Sequence, residues 1–386
     1  MIHRYGLRGK LCHAPCTPRA YGEVDAGIGP RPVESALDLF TLPDFDDHEQ
    51  VVFGYDRPSG LRAIVAIHST ALGPAAGGCR MWPYPSSEEA LIDALRLSRG
   101  MSYKNAMAEL DLGGGKAVIL GDARTQKTPE LFQAFGRLVE SLGGRYITAE
   151  DVGTTTGDMQ QVAAATGFVS GLARGSGEVG GDPGPQTALG VFFGIQAAVR
   201  FQLGRALEGL TVAVQGLGGV GHPLCRLLAA DGARLKVADA RRERAEQVCE
   251  ELGATLVDSE TIFDEDADVF APCALGAVLN ERTIARLRAR VVAGAANNQL
   301  AAAADGEALM KAGILYAPDY VINAGGIINV AHEYRGGASR AEVRAAIEKI
   351  PERLTLIFER ARREARPTSE VADQMARERL RAGRPG

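Results

Sequence analysis

Thr211-Val212-Ala213-Val214-Gln215-Gly216-Leu217-Gly218-Gly219-Val220-Gly221 is the stretch from which the fold is read. Thr211 to Gln215 has the composition of a strand, and glycines then fall at 216, 218 and 221. In that spacing the first glycine makes a tight turn, the second lets the backbone approach a pyrophosphate, and the third allows the next helix to pack closely. Val220 to Asp231 reads as that helix, ended by Gly232, with its amino terminus facing the phosphates. Arg234 to Ala238 is the following strand, and Asp239 ends it about 20 residues after Gly218. A carboxylate there accepts hydrogen bonds from the ribose hydroxyls and repels a 2′-phosphate, so NAD is favoured over NADP; Arg241 and Arg242 pull weakly the other way. The cofactor residues expected are Gly216, Gly218, Gly219, Val220, Gly221 and Asp239.

Downstream the same beat continues. Arg241 to Leu252 reads as a helix ended by Gly253, and apolar runs recur at Asp268 to Ala271, Arg290 to Ala293 and Ile314 to Ala317. Such alternation implies parallel strands with crossover helices. Upstream, a helix from near Thr187 to near Leu203 links this half to another α/β region. There, Gln50 to Tyr55 and Leu61 to His68 flank a turn-rich segment and predict a hairpin. Ser86 and Glu89 have capping-box spacing ahead of a helix, Pro129 to Leu142 is helical, and Ala117 to Leu120 and Tyr146 to Thr148 look like strands. The fold class expected is therefore α/β in two domains separated by a cleft, residues 36–180 and a Rossmann dinucleotide-binding domain over 185–335. The charged helical pattern of 340–386 packs back on the first domain, and residues 1–35, without periodicity, read as a flexible extension.

Composition narrows the functions available. A chain of 386 residues with 46% hydrophobic residues and a net charge of −5 lacks the basic footprint of a nucleic-acid binder. No apolar run approaches the ~18 residues of a membrane helix, and no apolar core of ~7 to 15 residues follows the basic start as in a signal peptide. A transit peptide is the alternative there, given few acidic residues. The cysteines are scattered, which fits free thiols in the cytoplasm. Cys12-His13-Ala14-Pro15-Cys16 has no second ligand pair, so no metal site is expected.

Gly113-Gly114-Gly115-Lys116 resembles a phosphate loop but lacks the leading glycine, since position 110 is Leu110, and Ala117 stands where Ser or Thr belongs. A lysine behind three glycines either sits exposed after a turn or lies against a ligand, partly withdrawn from water and suited to proton chemistry.

Seven further blocks bear on that choice: Gly73-Pro74-Ala75-Ala76-Gly77-Gly78, Met101-Ser102-Tyr103-Lys104-Asn105-Ala106, Gly113 to Lys116, Thr148-Ala149-Glu150-Asp151-Val152-Gly153, Ala271-Pro272-Cys273-Ala274-Leu275-Gly276, Gly294-Ala295-Ala296-Asn297-Asn298 and Asn323-Ala324-Gly325-Gly326. In this order, over about residues 45 to 380, the chain resembles the leucine, valine and phenylalanine dehydrogenases of the glutamate dehydrogenase superfamily, and most of all leucine dehydrogenase. The resemblance implies NAD-dependent oxidative deamination of a branched-chain L-amino acid to its 2-oxo acid and ammonia, and the reverse. It makes the first domain a substrate and dimerisation domain of a homo-oligomer, from dimer up to octamer. It implies that Lys104 pairs with the substrate carboxylate beside Gly77, Gly78 and Met101, that Lys116 is the catalytic lysine and that Asp151 is the general base. It also places Asn297 at the substrate amine or carbonyl, and Thr187, Cys273, Ala274 and Asn297 along the cofactor. By position, Ala76, Ala149, Ile327 and Val330 line the side-chain pocket. Ile327 and Val330 share a face if Asn323 onward opens a helix. Branched aliphatics there favour leucine, valine or isoleucine, whereas Ala76 enlarges the cavity toward phenylalanine.

Two other readings fit the residues less well. A 2-hydroxy acid dehydrogenase needs a catalytic His, and His68, His222 and His332 stand in no matching motif. A non-enzymatic NAD-binding regulator would have had no need to keep Lys104, Lys116 and Asp151 together.

Overall fold

A computed structural model describes residues 38–172 and 181–383, so the extension expected over 1–35, with Cys12 and Cys16, lies outside the described residues. Gln50–Asp56 (β1) and Leu61–Ser69 (β2) form the expected antiparallel hairpin. Ala75–Trp82 (β3), Gly113–Leu120 (β4) and Tyr146–Glu150 (β5) complete a sheet in the order β1-β2-β4-β3-β5. Between them run helices Ser87–Met107 (α1), Pro129–Glu140 (α2) and Thr156–Ala163 (α3). Ser86 Oγ accepts from Glu89 N at 3.1 Å, the amide half of the predicted capping box. Tyr146, Phe132 and Phe135 are fully buried among the residues that cover this sheet.

Two expectations change here. Strand β4 starts four residues earlier than its apolar run, because Gly113 to Lys116 are strand and not turn. Strand β3 has no counterpart in the sequence reading, since Ala75-Ala76-Gly77-Gly78 has the look of a loop. Its glycines are a packing requirement: a Cβ at Gly77 would lie 1.8 Å from the Gly115 carbonyl oxygen, and one at Gly78 would lie 2.6 Å from that of Glu150. Small residues thus let β3 sit tightly between β4 and β5. The outcome expected for Gly77→Ala is a loss of about 3 kcal/mol of stability or more, at the upper end of overpacking costs. Gly100→Ala, on the exposed and open side of α1, gains up to about 1 kcal/mol, and a denaturant titration of both variants checks the pair.

Gly184–Leu203 (α4) leads into the second half. There Thr211–Gln215 (β6), Gly221–Ala230 (α5), Arg234–Ala238 (β7), Arg242–Leu252 (α6), Thr255–Leu256 (β8), Val269–Pro272 (β9), Glu281–Ile284 (α7), Val291–Val292 (β10), Ala303–Lys311 (α8) and Leu315–Tyr316 (β11) follow in turn. All pairings are parallel, in the order β11-β10-β9-β6-β7-β8. Numbered within this sheet alone the order is 3-2-1-4-5-6, the doubly wound arrangement that splits between its first and fourth strands, here β6 and β9. Val212, Val214, Val269 and Val291 are buried on strands covered on both faces, as such sheets require.

The chain ends in helices Asp319–Ile322 (α9), Gly325–Arg335 (α10), Arg340–Ile347 (α11), Ile350–Glu364 (α12) and Thr368–Ala382 (α13). Asn323 therefore caps α9, and the helix it was expected to open begins two residues later. Helix α13 lies on α1, where Arg377 Nε donates to Tyr103 Oη at 2.7 Å, and its Asp373 accepts from Tyr320 Oη of α9 at 2.9 Å. From α12, Arg353 reaches Glu109 just past the end of α1 at 3.1 Å. From Pro43 onward the chain forms one compact unit, and no helix of the described residues is long and apolar enough to cross a membrane.

Candidate active site

Lys116 stands in the middle of β4, 5% exposed, and its ammonium lies 2.8 Å from Asp151 Oδ2 just beyond β5. The reading of an exposed lysine after a turn is thereby excluded. Asp151 can come this close because Gly78, paired with Ala149 across the strands, has no side chain: a Cβ there would lie 2.9 Å from Asp151 Cβ. Its backbone is held too, as Asp151 N donates to Thr154 Oγ1, which in turn donates to the Cys79 carbonyl, both at 2.9 Å. Burial pushes the Asp151 carboxyl up, but the Lys116 and Arg80 cations outweigh it and hold the group below its ordinary value of 3.8. Asp151 is thus an anion poised beside a buried cation.

Lys104, on the last turn of α1, supplies a second cation. Burial pushes it down to about 8, Lys116 adds to the fall, and Asp319 and Asp151 oppose it. Its Nζ donates to Asn323 Oδ1 at 2.8 Å, and Asn323 Nδ2 donates to Asn297 Oδ1 at 2.7 Å and to the Ala295 carbonyl at 3.0 Å. Asn297 is thereby brought to Lys104 through a residue to which the sequence reading gave no role. Asp319 was also missed: it accepts from Gln299 N and Tyr320 N, and burial raises its carboxyl despite Lys104. A partly buried carboxyl near Lys104 was not legible from spacing, because the α9 turn that places it spans four residues.

The other half of the site is the crevice between β6 and β9. Gly216 has φ 94 and would meet Ala274 at 2.6 Å if it carried a Cβ, and Gly221 would meet the Gly216 carbonyl at 1.9 Å. A Cβ at Gly218 would meet only Arg244, at 3.9 Å, and at Gly219 nothing within 4 Å. The closed glycines shape the loop, and the open ones leave a space of the kind that can cradle a phosphate. Val220 caps α5, and Cys273 N donates to the Gln215 carbonyl at 2.7 Å, setting Cys273 and Ala274 on the rim. Asp239 at the end of β7 accepts from Leu217 N at 2.7 Å and Arg241 N at 2.8 Å, so its carboxylate is fixed at the edge of this loop.

The two halves are joined by the first turn of α4. A Cβ at Gly184 would lie 2.6 Å from the Gly219 carbonyl, and one at Gly326 would lie 2.7 Å from Thr187 Oγ1. Thr187 Oγ1 donates to the Pro183 carbonyl at 2.9 Å. Glycine loop, α4, α10, Asn323 and Lys104 therefore form a continuous path. Ile327 and Val330 are partly buried along α10, and Ile327 packs on the core to which buried Ala76 belongs. Ala149 is partly buried on β5, and Met101 Cγ would lie 3.2 Å from a Cβ at Gly77, a further packing reason for that glycine. The histidines stand apart: His222 pairs with Glu251 at 2.8 Å, His332 with the Ile328 carbonyl at 2.8 Å, and His68 with Ser102 at 2.7 Å.

A nucleotide crevice leading to a buried lysine–carboxylate pair is the equipment of an oxidoreductase that works with NAD or NADP. Residues 48–167 match the family described as Glu/Leu/Phe/Val dehydrogenase, dimerisation domain, and residues 235–381 match Glutamate/Leucine/Phenylalanine/Valine dehydrogenase. Leucine dehydrogenase of Geobacillus stearothermophilus is 50% identical over 345 residues, covering 89% of this chain and 94% of the relative. Phenylalanine dehydrogenase of Bacillus thermotolerans is 46% identical over 355 residues, covering 90% and 92%. Among solved structures, L-tryptophan dehydrogenase from Nostoc punctiforme is 45% identical with a TM-score of 0.78, covering 87% of this chain and 96% of that one. The chain belongs to the Glu/Leu/Phe/Val dehydrogenase family.

Proposed function

We propose that the protein catalyses NAD-dependent oxidative deamination of leucine, and of valine and isoleucine, to the 2-oxo acid and ammonia, together with the reverse reductive amination. The observation that carries this reading is the 2.8 Å pair of Lys116 and Asp151 with Lys104 close by; the identity to leucine dehydrogenase supports it. Lys104 holds the α-carboxylate by a charge-assisted hydrogen bond. NAD held at the glycine loop would supply the acceptor for the Cα hydride. Lys116 stabilises negative charge growing on oxygen as water adds to the imine carbon, and Asp151 takes the water proton and returns one to the departing amine. Asn297, through Asn323, orients the amine. Gly216, Gly218, Gly219, Val220, Gly221, Cys273 and Ala274 hold the dinucleotide, with Thr187 at its nicotinamide end. Asp239 at the loop edge favours NAD, since a 2′-phosphate would meet a carboxylate.

Ala76, Ala149, Ile327 and Val330 form the side-chain pocket, and partly buried branched residues on α10 favour an aliphatic substrate over phenylalanine. Residues 36–180 and 185–335 act as the two domains, with 340–386 returning to the first. The protein is a cytoplasmic homo-oligomer: the family description of residues 48–167 supports association, as does edge strand β1, whose Phe53 and Tyr55 are exposed. A non-enzymatic regulator is disfavoured by the intact Lys116–Asp151 pair.

The test is NADH formation at alkaline pH with L-leucine, L-valine, L-isoleucine, L-phenylalanine, L-tryptophan and L-glutamate, each with NAD and with NADP. Aliphatic-selective turnover is expected, in keeping with the ~1 to 3 kcal/mol that an apolar pocket can discriminate, with NAD at least about tenfold above NADP because a 2′-phosphate would meet the Asp239 carboxylate. Preference for phenylalanine or tryptophan would put Ala76 ahead of Ile327, and no turnover with any of them would refute the reading.

A further inference from the structure

The acid–base role proposed for Asp151 leaves unexplained what holds that carboxylate when Lys116 turns to substrate. Lys116 and Arg80 converge on the same oxygen, Oδ2, at 2.8 and 3.1 Å. Arg80 comes from β3 and is itself anchored at its far end: Nη1 lies 2.9 Å from Asp93 Oδ2 of α1, which also accepts from Tyr84 Oη at 2.5 Å. Burial and then Asp93 keep the Tyr84 phenol protonated and donating. The guanidinium thus bridges two carboxylates through different nitrogens, a geometry that an ammonium cannot reproduce.

We propose that Arg80 is a positioning residue for the reaction: it keeps Asp151 aimed and anionic while Lys116 leaves it for the substrate oxygen. This rests on the reading of Asp151 as the acid–base group. The charged and titratable groups that act on Asp151 are Lys116 of β4, Arg80 and Cys79 of β3, Tyr146 of β5 and Lys104 of α1. Of these, Lys116 and Lys104 are given to substrate, so Arg80 is the cation that stays. Asp93 and Tyr84 fix Arg80 from outside the site and act on Asp151 only through it.

The experiment compares wild type, Arg80→Met, Arg80→Lys, Asp93→Asn and Asp151→Asn as full-length protein. It reads kcat and KM for L-leucine, and the infrared carboxyl band of Asp151, assigned by its loss in Asp151→Asn, as a function of pH. In Arg80→Met the protonation midpoint rises by about one pH unit or more. Its kcat falls between about tenfold and a hundredfold, from a misaimed base, and KM stays near wild type. Arg80→Lys restores the midpoint but only part of kcat. Asp93→Asn, which frees the outer end of Arg80, lowers kcat by less than Arg80→Met with KM near wild type and no rise of the midpoint, since an anion has been removed, and this loss supports the proposal even if Arg80→Met fails to fold. An unmoved midpoint in Arg80→Met, an undiminished kcat in Asp93→Asn, or a change confined to KM overturns it. Undiminished kcat in Asp151→Asn overturns the parent reading instead, before Arg80 is considered.

Discussion

Lys116→Ala is expected to lower kcat by about a hundredfold to ten-thousandfold, the range for removing a positioned acid–base or charge-stabilising group. The argument is one of place. A lysine 5% exposed in the middle of a strand costs desolvation, which the protein offsets with Asp151 at 2.8 Å. Nothing in packing β4 against β2 and β3 needs an ammonium there, since its neighbour Ala117 is fully buried on the same strand. Alanine removes the charge without a backbone change, and Arg80 still partners Asp151. NAD affinity, set at the glycine loop, should be unaltered in a fluorescence titration. A melting temperature close to wild type would separate lost chemistry from lost fold. Near-normal kcat in a folded Lys116→Ala protein would remove Lys116 from the reaction.

The second large effect concerns binding. Lys104→Met keeps the stem of the side chain and deletes the cation, so KM for the amino acid should rise about tenfold to a hundredfold, from the ~1.5 to 3 kcal/mol of a hydrogen bond to a charged group. Because Lys104 is pushed down to about 8, its ammonium is lost as pH climbs through that value in the free enzyme. A 2-oxo acid must then bring back a proton to bind. Its KM should climb above pH ~8 toward a limit of about tenfold per pH unit, and that slope should vanish in Lys104→Met. The stability sign follows from the same depression. Between about 8 and the ordinary 10.5 the unfolded chain holds the proton and the folded chain does not, so this residue's contribution to stability rises with pH across that window. A pH-independent KM in wild type would deny Lys104 the carboxylate.

The nucleotide half was legible almost residue by residue because its signals are local. Gly232 and Gly253 terminate segments as expected, with φ 85 and 66, and β6 and β7 fall on the runs assigned to them. The first half was harder. Strand β3 hid behind four small residues whose reason is the nearness of two other strands, a fact no window of sequence contains. Lys116 was ambiguous for the same cause, since three glycines read as a turn until β4 is seen to run through them. Residues that act on other residues were missed altogether. Arg80 meets Asp151 from 71 residues away, and Asn323 meets Lys104 from 219. Motifs mark where ligands are held; they are silent about what holds the motifs.

Helix α13 has a consequence for how the protein comes into being. Its Arg377 is translated 274 residues after Tyr103, yet the two meet, so α13 covers the helix that bears Lys104. The parallel sheet from β6 to β11 is complete, and can close on itself, some fifty residues before that helix is made. Until then the face of α1 that meets α13 lacks that cover. The first sheet is thus translated before the second, yet the helix that covers α1 comes after both.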